Sequence, residues 1–145
     1  MTRKIFHGNN WAYLNKLPGS HILPKYWTSS LKDAVDHAER SSKRFSSSMI
    51  ILVYPNWPEQ NFRELPINIS GRDTVKWYEL DREPFDFLDL EKREEYIEIY
   101  EEEDFHKVTK YFTQGELDSL INMKYAQKFL TKEQIRVHRL NLSSF

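Results

Sequence analysis

No cysteine occurs among the 145 residues. Disulfide staples and thiolate chemistry are therefore excluded, and a reducing, cytoplasmic setting is the expectation. The 4 glycines are too few and too scattered to build a phosphate-cradling loop. There is no Gly-x-Ser-x-Gly elbow. The longest apolar run, Met49 to Tyr54, falls far short of the ~20 residues that span a bilayer. Met1-Thr2-Arg3-Lys4 is not followed by an apolar stretch, so neither a secretory leader nor membrane insertion is expected from this sequence. Neither sign of charge dominates. With 21 basic and 22 acidic residues the formal net charge is -1, which supplies no global pull toward nucleic acid. The 5 histidines show no His-x-x-x-His or similar spacing, and no metal is expected.

What the chain does have is aromatic bulk. Tyr, Phe and Trp make up 14% of it and can supply much of the buried area of one domain spanning residues 1–145. Lys4 to Phe6 reads as a short strand. Asn9 or Asn10 is placed to cap a short helix through Trp11, Leu14 and Leu17, stopped by Pro18-Gly19. Tyr26 to Thr28 reads as a brief strand. Ser30-Leu31-Lys32-Asp33 is a capping pattern that opens the clearest helix, in which Leu31, Ala34, Val35 and Ala38 share one face. Met49 to Tyr54 is continuous, branched and apolar, as a strand buried on both faces would be. Residues 57–72 hold Pro58, Pro66 and Gly71 and read as irregular.

Further on, strands are expected at 74–80 and 95–100. A helix is expected over 105–120, weakened or divided by Gly115. Two closing strands are expected at 123–129 and 135–142, the second from the alternation of Ile135, Val137 and Arg139 with Arg136 and His138. Strands and helices do not alternate regularly. The expected class is therefore α+β: a single domain of split or bent, mainly antiparallel β-sheets with flanking helices.

The order of the first elements carries a resemblance. A strand leading into His7-Gly8-Asn9, a helix, a strand with Tyr26 and Thr28, a helix with His37, and then an apolar strand together resemble the ADP-ribosyltransferases of the diphtheria-toxin and poly-ADP-ribose-polymerase branch, marked by a His-Tyr-Glu triad. The convincing match covers about the first third of the chain. The resemblance implies NAD as substrate, bound by His7, Gly8, Asn9, Tyr26, Thr28 and His37. In that family the histidine bonds the adenosine ribose and the backbone after it bonds the nicotinamide amide. Tyr26 and His37 would hold the flat nicotinamide between them. Cleavage of its glycosidic bond would pass through an oxocarbenium-like ribose.

The third triad member departs from the pattern. The family's glutamate opens a late strand, often beside an aromatic. Asn122-Met123-Lys124-Tyr125 is the best local match, which sets Lys124 where a glutamate is expected. An ammonium there would oppose a developing cation. Glu79, Glu95, Glu98 and Glu116 are the other glutamates in question, with Glu98 preferred because its strand alternates.

Three readings follow. One is an ADP-ribosyltransferase acting on a protein or nucleic-acid acceptor. Another is a catalytically degenerate module on the same fold, binding NAD, ADP-ribose or a partner protein as inhibitor or regulator. The last is a small interaction protein that uses the acidic segment 94–104. Few Gly and Ala beside much Lys, Asn, Ser, Ile, Tyr and Phe suggest an AT-rich genome, such as that of a phage or a low-GC bacterium, and a phage or mobile-element origin would suit a counter-defence or host-modifying role.

Overall fold

The computed structural model describes residues 4–15, 23–66, 75–81 and 97–143. The chain divides into two compact units, residues 1–99 and 100–145.

The fold is α+β, with one sheet of six strands: β1 Ile5–Asn10, β2 Tyr26–Thr28, β3 Met49–Tyr54, β4 Phe62–Glu64, β5 Trp77–Leu80, and β6 Glu98–Glu101, within which the first unit ends. Their order is β4-β5-β2-β1-β3-β6, one sheet rather than two. From β4 across to β3 every pairing is antiparallel. β1 is longer than the expected Lys4–Phe6. It runs on through His7-Gly8-Asn9-Asn10, paired residue by residue with β3 from Ile5↔Tyr54 to Asn10↔Met49. Two asparagines are poor strand formers. They are accommodated because their amides bond each other and neighbouring groups: the Asn10 backbone N–H and Nδ2 both donate to Asn9 Oδ1, at 2.9 and 3.3 Å.

Helix α1, Trp11–Asn15, begins directly after β1, and Asn10 Oδ1 accepts from the Tyr13 backbone at 2.9 Å. Helix α2, Leu31–Phe45, starts where expected. Ser30 Oγ accepts from the Asp33 N–H at 3.2 Å. The helix ends at Ser46, which takes φ 50 and closes the last turn by donating to Ser42 O. Leu31, Ala34, Val35 and Ala38 are buried, so the helix lays its apolar stripe on the sheet.

On the opposite face Ile5, Trp27, Leu52, Tyr54 and Trp57 form the main core with Ile97. Both faces of β3 are covered, which is why all six of its residues are buried. Residues 57–64, expected to be irregular, hold a 3₁₀ turn at Glu59–Asn61 and the short strand β4, with Phe62 edge-on to Tyr54 and Trp57. The expected strands at 74–80 and 95–100 correspond to β5 and β6, and residues 67–74 and 82–96 lie outside the described residues.

The second unit corrects three expectations. Residues 105–120 are not one helix. A 3₁₀ segment, Glu102–Tyr111, is followed by α3, Gln114–Leu120. The break falls at Phe112-Thr113 because Thr113 and Glu116 form a reciprocal capping box, and Gly115 lies inside the helix that follows. Residues 124–128 form a 3₁₀ turn, and 132–143 form helix α4, where strands were expected. The cause of the second difference is local. Thr131 and Gln134 cap one another, the Thr131 N–H donating to Gln134 Oε1 at 2.8 Å and the Gln134 N–H to Thr131 Oγ1 at 3.0 Å. Of the alternating apolar residues only Ile135 is buried, whereas Val137, Leu140 and Leu142 are exposed. The unit's core is aromatic. Phe105 and Phe129 stack at 4.8 Å and 15°, with Phe112 and Tyr125 edge-on to Phe129.

Candidate functional site

Strand β1 meets α2 at its glycine. A Cβ on Gly8 would lie 1.7 Å from the Ala34 carbonyl oxygen and 2.6 Å from its carbon. No side chain fits there, and only glycine lets strand and helix come this close. The approach brings His37 over β1, and its Nδ1 donates to Gly8 O across 2.6 Å. His37 Nε2 is left to act as acceptor in the neutral ring.

His7, one residue earlier, is tied the other way. Its Nδ1 donates to the Tyr26 carbonyl at 2.7 Å, and Asn9 Nδ2 stands 3.3 Å from its Nε2. That geometry selects the tautomer with the proton on Nδ1 and a lone pair on Nε2. Asn9 is oriented in turn by Ser41 of α2, whose hydroxyl donates to Asn9 Oδ1 at 2.9 Å and accepts from Asn10 Nδ2 at 2.6 Å. Removal from water disfavours the charged His7 ring, the Tyr26 carbonyl partly offsets this, and His37 opposes a second charge nearby. Its pKa is lowered to about 4, so the imidazole is neutral at physiological pH.

These groups line one cleft of about 210 Å³. β1 contributes Phe6, His7, Gly8 and Asn9; β2 contributes Tyr26 and Thr28, with Lys25 just before it; α2 contributes Ala34 and His37; Tyr13 and Trp77 complete the wall. All six residues expected to bind a ligand therefore surround a single space. Their states differ. Tyr26 is 47% exposed, its ring available at the mouth. Thr28 is buried and already accepts from the Ser30 N–H at 3.1 Å. The His37 and His7 rings are 6.3 Å apart and tilted by 50°.

Neither expected catalytic residue is among those lining the cleft. Glu98 lies on β6, with β3 between it and β1, and is not among the residues lining the cleft. Lys124 opens a 3₁₀ turn of the second unit, so the strand expected to begin there is absent. Glu116 sits in the capping box of α3, and Glu95 lies outside the described residues.

Glu79 is not among the residues lining the cleft either, but it lies on a strand that borders it. It pairs with Tyr26 across the β2–β5 ladder, and residues directly opposite in an antiparallel pair leave the sheet on the same face. It follows Tyr78 on a late strand. Arg63 Nη2 donates to Oε2 at 2.6 Å, and Lys25 Nζ lies 3.1 Å from Oε1. The Arg63 bond first, and the Lys25 bond second, hold this carboxyl below the usual carboxylate range.

Sequence reasoning did not single out Tyr13, Lys25, Ser41 or Trp77. For Lys25 and Trp77 a signal existed: Lys25 is adjacent to Tyr26, and the Trp77-Tyr78-Glu79-Leu80 alternation sets Trp77 and Glu79 on one face. Nothing in the sequence ties Ser41 to Asn9, 32 residues away. Comparison of the chain with protein families, with curated proteins and with solved structures gives no match.

Proposed function

We propose that the β1–β2–α2 cleft binds the nicotinamide end of NAD and that the chain transfers ADP-ribose to a macromolecular acceptor. The observation that carries this reading is the meeting of His7, Gly8, Asn9, Tyr26, Thr28 and His37 around one space, although they come from three separate stretches of chain. In a complex a ribose hydroxyl would take the place of Asn9 Nδ2, which stands 3.3 Å away, as donor to the single lone pair of the neutral His7 Nε2. Gly8 leaves its backbone bare for an amide group. Its carbonyl, already bonded by His37, has a second lone pair. Tyr26 offers an exposed ring to a flat heterocycle.

In the proposed reaction the C–N bond between nicotinamide and ribose breaks, and its electron pair leaves with nicotinamide. An acceptor nucleophile bonds the ribose C1′ and gives up its proton. Positive charge builds on the ribose between these events. A carboxylate on the same face steadies it. Glu79 takes that role in this reading, in preference to Glu98 or Lys124. It is ionised, it faces the Tyr26 side of the sheet, and it is a glutamate beside an aromatic on a late strand.

A second reading is a binding module without transfer, either holding NAD or ADP-ribose or regulating a partner. One observation favours it: both Glu79 oxygens are engaged, by Arg63 and Lys25. A carboxylate so held has less to give to a ribose. Labelled NAD incubated with the chain and a cell lysate separates the two. Label on an acceptor that disappears with His7→Ala and with Tyr26→Ala supports transfer. NAD binding in calorimetry without label transfer supports the module. The absence of any NAD binding would overturn transfer and the NAD-holding module, leaving only regulation of a partner.

A further inference from the structure

The second unit carries a groove of about 680 Å³ between the 3₁₀ turn Lys124–Lys128 and helix α4. Its chemistry is one-sided. Lys124, Lys132, Arg136 and Arg139 line it, and no Asp or Glu does. Lys132, Arg136 and Arg139, together with Leu140, recur at helical spacing on one face of α4. Arg136 bonds Glu133 at 3.0 Å, and Arg139 donates to an uncharged acceptor, the Ile121 carbonyl, at 2.8 Å. Lys124, Lys132 and Arg139 have no carboxylate partner among the described residues. Beneath them Ile121, Ala126 and Ile135 close a small apolar core. On the walls Leu140 is 54% exposed and Met123 is 38% exposed. Such exposure is unfavourable in isolation and is relieved when apolar surface covers it.

From this pairing of an unbalanced basic lining with exposed Met and Leu, we infer that the groove docks an acidic peptide segment of a partner protein, anchored by a large apolar side chain. The cations select carboxylates and steer the encounter, and Met123 and Leu140 receive the anchor. A nucleic acid fits less well. No aromatic side chain lines the groove for bases to stack on, and a phosphate backbone gains nothing from Met123 and Leu140. This inference does not rest on the NAD reading, since all its residues belong to the second unit.

The test uses the full chain and a panel of fluorescent peptides in which Leu or Phe anchors are set among glutamates. Matched panels carry glutamine for glutamate, or serine for the anchors, and a single-stranded oligonucleotide of equal charge is included. The acidic anchored peptides are expected to bind. Affinity should fall about tenfold on loss of either the charges or the anchor, and by a similar factor with Lys132→Glu/Arg136→Glu and with Leu140→Ser. These positions are exposed, so circular dichroism should be unchanged. NAD binding, measured on the same variants, should not move. No binding by any acidic peptide, equal binding by the glutamine panel, indifference to Leu140→Ser, or tighter binding of the oligonucleotide would each overturn the inference.

Discussion

His37 on α2 donates its Nδ1 proton to the carbonyl of Gly8 on β1 across 2.6 Å, beside the place where a Cβ on Gly8 would collide with the Ala34 backbone. The hydrogen bond and the missing side chain are two halves of one device. Gly8 admits the helix, and His37 fastens it, bringing an imidazole to the wall of the cleft.

Gly8→Ala is therefore expected to be among the most damaging small substitutions in the first unit. The added methyl meets backbone atoms of Ala34 that cannot rotate away, so α2 must move as a body. We expect a loss of about 3 kcal/mol, at the upper end for overpacking. Urea denaturation should show a lower midpoint. A midpoint within error of the parent chain would mean that strand and helix are not packed as described.

His7 predicts a pH dependence of stability. Its folded pKa, about 4, lies below the value of 6.5 for an ordinary imidazole. Between these values the unfolded chain takes up a proton that the folded chain refuses. Stability from this group is thus fully present above about pH 6.5, is lost as pH falls toward 4, and changes no further below that. The upper bound is about 3 kcal/mol. Other groups also titrate in this range, so the measurement is a difference. The drop in unfolding free energy from pH 7 to pH 4.5 should be smaller in His7→Gln than in the parent. Equal drops in both proteins would refute the assignment.

Tyr26 lies half in solvent, so its ring contributes to ligand contact more than to folding. Tyr26→Ala should leave the thermal midpoint within a few degrees while weakening NAD binding about tenfold in calorimetry. A large stability loss with unaltered binding would make the ring a structural element.

Glu79, Glu98 and Lys124 are separated by substitution. Glu79→Gln should abolish label transfer from NAD while the dinucleotide still binds. Glu98→Gln and Lys124→Glu should leave turnover unchanged. Activity surviving in Glu79→Gln but lost in Glu98→Gln would return the role to β6. A gain with Lys124→Glu would restore the alignment that the 3₁₀ turn at 124–128 argues against.

In the second unit Phe129 is the hub of the aromatic core, 1% exposed and in ring contact with Phe105, Phe112 and Tyr125. Phe129→Ala should cost about 4 kcal/mol. Loss of near-ultraviolet circular dichroism at a lower denaturant concentration would register it.

Local signals alone settled a good part of this protein. The spacing of Leu31, Ala34, Val35 and Ala38, with Ser30 before them, dictated α2, because a helix must bury one stripe and satisfy its first N–H groups. The branched run Met49–Tyr54 dictated a strand covered on both faces. His7, Gly8, Tyr26 and His37 were legible as candidates because each is a distinctive residue at an element boundary or on a helix flank. Where local signals competed, the wrong one was read: the Ile135–Arg139 alternation outweighed the Thr131–Gln134 capping box, although a capped helix satisfies its own backbone and a lone terminal strand does not. Tertiary structure alone decided the rest. The Tyr26↔Glu79 pairing, the grip of Lys25 and Arg63 on that carboxylate, and the bond from Ser41 to Asn9 depend on strand register and helix placement. Register is an outcome of packing across the whole sheet, and no stretch of residues read by itself contains it.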